Sequence, residues 1–281
     1  EAVPAITGID HLLIDVEDLE GARATWHRLG FTMTPRGLHP QWGTGNYCMM
    51  FADSYLELIA IADPQVYAEN EVRRGRRRTT TGLSAIALAT GDAQAARIAL
   101  AEAGIVADGP KDLTRLLEAQ EGTQEPRFHI LHLPQGASPA IPMFLCRHLS
   151  PDLVRRPEWL VHDNGATAIV SLAVPVDDPG ATDEAYRRLF GHGAVTRTDE
   201  TLTLRIGGTS VLLVRPEDYD SLFPDLHEEG QTPPGVVTLR VADVEATARH
   251  LAAVKVPFRR EPRAVTVAPK DACGVAVVFA A

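Results

Sequence analysis

An α+β fold made of four β-α-β-β-β modules, joined in two pairs, is predicted for this 281-residue chain. Three observations predict it. The stretches HLLIDVEDLEGARATWHRLG, AIALATGDAQAARIALAEAG, VSLAVPVDDPGATDEAYRRLFG and VTLRVADVEATARHLAAVKV repeat one pattern. Each reads as an aliphatic strand, an acidic turn, and a helix with apolar residues at helical spacing. Each is followed by short β-rich runs separated by turn residues. A segment rich in Pro, Arg and Asp between Leu149 and Gly165 splits the repeats into two pairs. The expected domains are 1–150 and 166–281, with a linker at 151–165.

In the first repeat, residues 11–16 alternate as a strand. The helix that follows buries Leu19, Ala22, Trp26 and Leu29 on one stripe, and Gly30 ends it. The runs FTMTPRG, NYCMMFA and SYLELIAI read as strands, the last two joined by a turn at Asp53 and Ser54. The second repeat is vaguer around 105–117, then gives RFHILHLP and AIPMFLC. The third gives AVTRTDE, TLTLRI and TSVLLVR, with Gly207 and Gly208 at a hairpin turn. The fourth gives VPFRREP, AVTVAP and GVAVVFA.

Bulk composition narrows the function. The chain is 45% apolar and 23% charged, as a globular protein should be. No run of about 18 apolar residues predicts a membrane span. A net charge of -10 opposes general nucleic-acid binding, which needs a cationic face. The local run of Arg73, Arg74, Gly75, Arg76, Arg77 and Arg78 either meets an anionic ligand or is a solvated loop. Cys48, Cys146 and Cys273 are far apart and form no zinc-type cluster, which suits free thiols in a reducing cytoplasm. The chain begins at Glu1, which suggests a trimmed start, and shows no basic-then-apolar signal segment. A cytoplasmic location is expected. No dinucleotide loop, phosphate-binding loop or nucleophile elbow is present.

The organisation resembles the vicinal oxygen chelate superfamily, which includes glyoxalase I, extradiol dioxygenases and the fosfomycin- and bleomycin-resistance proteins. GIDHLLIDVEDLEGA, LGF and YLELIAI in the first module carry the most specific resemblance, while the third and fourth modules match by pattern only. The resemblance implies two glyoxalase/dioxygenase-like domains, each a curved mixed sheet around a cleft. It also implies a small-molecule substrate or ligand.

Strand alternation places His11, Leu13 and Asp15 on one face, and Tyr55, Glu57 and Ile59 on one face of the later strand. The opposite, aliphatic faces should pack on the helix. In the family, the face away from the helix lines the cleft, and ligands sit on the first and last strands of a module. The resemblance therefore makes His11 and Glu57 candidate metal ligands. An imidazole with a carboxylate suits Fe, Mn, Ni, Co or Zn. The second module departs from the family, with Ala85 and Met143 read at the corresponding places. His39, in HPQWGTGN, is the best candidate for a third ligand, the alternative being a glycine-rich connection with a surface histidine. Gly43 and Gly45 allow close backbone approach, and Thr44 and Asn46 offer polar groups to a ligand. Asp15 and Tyr55 share the cleft face and are also candidate ligand-binding residues. His129 and His132 have opposite parity, so a regular strand turns at most one of them into the cleft.

The second half supplies no matching pair. Ser171 and Val236 stand at the first-strand positions, and SVLLVR and GVAVVFA lack a carboxylate. That half is expected to support the first, form an oligomer interface such as a homodimer's, or bind ligand without metal. WLVHDNGA in the linker either folds over the first cleft or is a solvated loop. The expected function is a metal-dependent lyase, isomerase or dioxygenase acting on a small substrate with vicinal oxygens. The alternative is a metal-independent binding or sequestering protein of the bleomycin-resistance type. On that reading Ala85, Ala87 and Ala89 leave room in a cleft walled by Ile141, Met143 and Leu145.

Overall fold

The computed structural model describes residues 6–74, 81–228 and 230–281. The side chains of the arginine run at 73–78 lie outside the described residues. The first module forms β1 (Ile6–Asp15), α1 (Leu19–Arg28), β2 (Gly37–His39), β3 (Thr44–Met50) and β4 (Tyr55–Ile61). A helix α2 (Pro64–Arg74) leads to the second module. This comprises β5 (Gly82–Thr90), α3 (Ala93–Glu102), β6 (Asp108–Thr114), β7 (Leu116–Ala119), β8 (Gly122–Gln124), β9 (Arg127–His132) and β10 (Met143–His148).

In three of the four repeats the acidic turn caps the helix. The Asp18 carboxylate accepts from the Gly21 N–H, and Asp92 accepts from the Gln94 and Ala95 N–H groups. The run FTMTPRG is not a strand; pairing begins only at Gly37, beyond Pro35, which has no N–H to give a ladder. Helix α2 was not anticipated, although Asp63 accepts from Gln65 and Val66 and Pro64 follows it, a standard helix start.

The first ten strands make one sheet, ordered β6-β9-β10-β5-β1-β4-β3-β2-β7-β8. β1 pairs in parallel with β4 and antiparallel with β5 at its centre, where Leu12 faces Ile86. Only Arg115 separates β6 from β7, yet β6 lies beside β9 while β7 pairs with β2, at the far end of the sheet. The sheet must therefore curl until its two ends approach each other at Arg115. The curl creates a concave face whose apolar lining includes Leu13, Ala85, Ala87, Phe128 and Phe144.

The second half forms β11 (Ala166–Pro175), α4 (Asp183–Phe190), β12 (Val195–Thr198), β13 (Thr201–Ile206) and β14 (Thr209–Val214). It continues with α5 (Pro216–Leu222), β15 (Val236–Val241), α6 (Val244–Ala253), β16 (Arg259–Glu261), β17 (Ala264–Val267) and β18 (Ala276–Ala280). Its eight strands are ordered β12-β13-β14-β11-β15-β18-β17-β16. The helix-side faces of both sheets share one core, in which Trp26, Phe31 and Leu145 join Tyr186, Leu239 and Phe279. Arg28 of α1 donates to the carbonyls of Val254 and Lys255, just past α6.

The concave face of the second sheet is filled by its own chain. Tyr219 of α5 and Phe223 pack on Ala173, Val214, Val236 and Ala276, and the Tyr219 hydroxyl donates to the Pro234 carbonyl at 2.8 Å. The connecting segment is likewise built into the fold rather than solvated. Val154 and Trp159 pack on Cys48, Met50, Tyr55 and Leu117, closing one end of the first concave face. His162 Nδ1 accepts from the Thr32 N–H at 3.0 Å, and its Nε2 donates to the Met50 carbonyl at 2.8 Å. Among the described residues no helix is long and apolar enough to cross a membrane.

Candidate functional site

The site grows from an irregularity in β1. Between Ile9 and His11 the register with β5 slips by one residue, and the extra residue is Asp10. Such a bulge re-aims side chains. Here Asp10 and His11, neighbours that a regular strand would send to opposite faces, meet each other. His11 Nδ1 lies 2.6 Å from Asp10 Oδ2. Asp10 also lies 2.9 Å from His148 Nε2 and 3.8 Å from an Arg155 nitrogen.

The other edge of the His11 ring faces Glu57. His11 Nε2 is 3.2 Å from Glu57 Oε2, and His39 Nε2 is 3.8 Å from Glu57 Oε1. The carboxylate therefore has a histidine nitrogen beside each oxygen. Asn46 donates to Glu57 Oε1 at 2.7 Å. His39 Nδ1 hydrogen-bonds Thr44 Oγ1 at 3.0 Å, and the Tyr55 ring stacks on His11 with centroids 4.4 Å apart. All of these groups are buried.

The charges hold one another in place. Burial alone would lower the pKa of His11, but its hydrogen bonds to Asp10 and Glu57 raise it from 6.5 to about 9. Burial would raise Glu57, but the bond from His11 and the nearby charges of His11 and His39 hold it at about 2. Asp10 is held well below the usual carboxylate range by His11 and His148 against the cost of burial. Burial pushes the Cys48 thiol up to about 12 and Cys146 well above the ordinary thiol range, so both stay protonated.

His11, His39, Tyr55, Glu57, Arg115 and Cys146 border a hollow of about 20 Å³, enough for one small group. Trp42, Leu113, Ile130 and Phe144 border both this hollow and an outer cleft of about 890 Å³. Asp15, Thr44 and His132 line the outer cleft. Asp15 also accepts from the Ser84 hydroxyl at 2.8 Å. His129 borders neither cavity; its Nε2 lies 3.1 Å from Asp112.

The counterpart of Glu57 in the second module is Phe144, not Met143. Glu57 pairs with Leu13, and the equivalent pairing across the second module is Phe144 with Ala87. Met143 pairs with Ile86 and joins the core on the helix side. Ala85 does hold the place corresponding to His11, since Leu12 and Ile86 face each other at the centre of the two modules. The second module thus gives the hollow an apolar wall. Asp10, Arg115, Cys146 and His148 were not recognised as site residues from the sequence. Alternation hid Asp10, and Arg115 falls in the weakly patterned stretch around 105–117.

Two residue sets could hold a cation. Asp10, His11 and Cys146 each present a ligand atom within 4.8 Å of the others. Against them, the Asp10 carboxylate is already bound to both His11 and His148. His11, His39 and Glu57 are more widely spaced, their ligand atoms not all lying within 4.8 Å of one another. Their chemistry fits better: two imidazoles and one carboxylate, with the second nitrogen of each ring already fixed by Asp10 or Thr44.

A curved sheet built from paired β-α-β-β-β modules, with a His and carboxylate cluster in the concavity, defines a class. The chain has the architecture of the vicinal oxygen chelate superfamily. It belongs to the family described as glyoxalase-like domain, whose profile matches residues 9–190. Among solved structures, a hypothetical protein from Staphylococcus aureus is similar at a TM-score of 0.71 and 14% identity, covering 96% of this chain and 98% of that one. A xylose isomerase-like TIM barrel/4-hydroxyphenylpyruvate dioxygenase fusion protein is similar at a TM-score of 0.54 and 16% identity, over 100% of this chain and 50% of that one. A mutant of 4-hydroxymandelate synthase from Streptomyces coelicolor is similar at 0.52 and 12%, over 98% of this chain and 93% of that one. No curated protein sequence matches this chain.

Proposed function

We propose that this protein is a metal-dependent enzyme of the glyoxalase/dioxygenase kind, acting on a small substrate with neighbouring oxygens. His11, His39 and Glu57 would hold the divalent cation. One observation carries the reading: the Glu57 carboxylate lies between two histidine Nε2 atoms, at 3.2 and 3.8 Å. When bound, a cation at this place supplies Lewis acidity, stabilising negative charge on substrate oxygens.

The protein's own residues prepare the site. Asp10 accepts a hydrogen bond from the His11 Nδ1–H, which turns Nε2 toward Glu57. Thr44 anchors His39 in the same way, and Asn46 fixes one oxygen of Glu57. Tyr55 holds the plane of the His11 ring. Trp42, Leu113, Ile130 and Phe144 give the hollow and the cleft a shared apolar border, limiting the entry of bulk water.

Elemental analysis and calorimetric titration of the full chain test the reading, with Ni, Mn, Fe, Co and Zn each offered to stripped protein. Near-stoichiometric metal in the wild type, lost in His11→Ala, His39→Ala and Glu57→Ala, is expected. A wild type that takes up none of these cations would refute it. The second reading, a metal-independent binding protein, draws on the fact that His11 and Asn46 already satisfy Glu57. It predicts that chelator leaves ligand binding unchanged.

A further inference from the structure

Arg115 is a buried cation that the proposed metal ligands do not use. It is the single residue between β6 and β7, where the chain passes from one end of the curled sheet to the other. Its side chain borders the same hollow as His11, His39 and Glu57, and the residue is only 2% exposed. Its Nη1 donates to Cys48 Sγ at 3.3 Å, and its guanidinium carbon lies 5.6 Å from the centre of the Phe128 ring. Its Nε and Nη2 are buried and have no hydrogen-bond partner among the described residues.

That arrangement is incomplete as it stands. A guanidinium is always charged and offers a fork of N–H groups matched to two oxygens of an anion. Burying it without a counter-ion is unfavourable. Cys48 is a neutral thiol, and Glu57, whose charge favours the guanidinium, gives its hydrogen bonds to His11 and Asn46, so no anion sits on the Nε and Nη2 edge of Arg115. The place is nevertheless built for Arg115: a Cβ on Gly37 would come 2.7 Å from Arg115 Cδ and 2.1 Å from Asn46 Oδ1. Only glycine on β2 leaves room for the arginine stem beside the residue that holds Glu57.

We infer that Arg115 is the anion-recognition residue of this site and that its ligand is a small carboxylate. The inference rests on the proposed reading of the cleft as the substrate site. The carboxylate head enters the hollow, where the free edge of Arg115 binds it, and the rest of the ligand lies in the outer cleft.

Oxalate and its neutral analogue oxamide are the probes, titrated calorimetrically into the full chain, zinc-loaded and chelator-stripped. The wild type is expected to bind oxalate at least tenfold tighter than oxamide. Arg115→Met is expected to lose tenfold or more in oxalate affinity while zinc content and melting temperature hold, and Arg115→Lys to recover part of the loss. Oxalate bound no better than oxamide, or equally by wild type and Arg115→Met, would overturn the inference. If Arg115→Met does not fold, the oxalate preference of the wild type and its weakening in Arg115→Lys decide. An oxalate preference in a wild type that takes up no zinc would sink the metal reading and keep this one. Zinc retained without any anion preference would do the opposite.

Discussion

Replacing Asp10 with Asn decides between the two residue sets that could hold a cation. Asp10 lies 2.6 Å from His11 Nδ1 and 2.9 Å from His148 Nε2, on the far side of the His11 ring from Glu57. If Asp10 only orients His11, its loss should weaken metal binding by about 10- to 100-fold. That corresponds to about 1.4–2.8 kcal/mol. The His11 pKa should also fall from about 9, because the bond to Asp10 is the largest effect raising it. The buried network around His148 and Arg155 loses its anion as well, which should cost about 3 kcal/mol of stability. Metal affinity is read by competition with a chromophoric chelator at pH 7, well below the melting temperature, and the His11 pKa by NMR titration of stripped protein. Cys146→Ser, run beside it, should leave affinity unchanged. If Asp10→Asn and Cys146→Ser both abolish binding as completely as His11→Ala, the cation belongs to Asp10, His11 and Cys146, and the assignment to His39 and Glu57 is wrong.

The same charges predict how stability follows pH. The folded-state pKa of His11 is raised from 6.5 to about 9, so its stabilisation is fully present below about pH 6.5 and is lost as pH rises through 9. A shift of that size corresponds to about 3 kcal/mol. Glu57 and Asp10 are depressed, so their contribution is present above about pH 4.5 and lost as pH falls toward 2. Urea melts of metal-free protein should therefore show highest stability near pH 5–6 and an alkaline decline that His11→Ala flattens; equal stability at pH 6 and 9.5 in the wild type would contradict this. In the second half, Tyr219→Ala should cost about 3–5 kcal/mol by emptying the plugged concave face. Metal affinity should not change, and a loss of it would show that this half helps build the site.

Much of the architecture was legible because its signals are local. Asp18, Asp92 and Asp243 cap α1, α3 and α6 by the same bond, so the repeated acidic turn followed by a helix could be recognised from one sequence. Alternation likewise put His11 and Glu57 on the concave face. It failed wherever pairing departed from the regular ladder. The mismatch at Met143 is a slip of one residue, which turns the opposite side chain into the cleft, so Phe144 stands there instead. Asp10 needed a bulge to reach His11, and Arg115 needed the sheet to curl until its ends met. Neither event is written in a spacing.

These two departures share a consequence. Both bring a charge into the interior, Arg115 at the hollow itself and Asp10 behind the His11 ring that borders it, where local rules would have placed an apolar residue or none. Sequences break their own pattern mainly where something beyond stability is required. The two halves of the molecule make the contrast within one chain. The second sheet repeats the bulge, with a register slip between Ile169 and Ser171, yet its concave face is closed by Tyr219 and Phe223. The first keeps buried charges beside a hollow that adjoins a cleft of about 890 Å³. A fold that can fill its own concavity with an aromatic plug has left this one open. The unfilled space is where Glu57, its two histidines and the free edge of Arg115 converge.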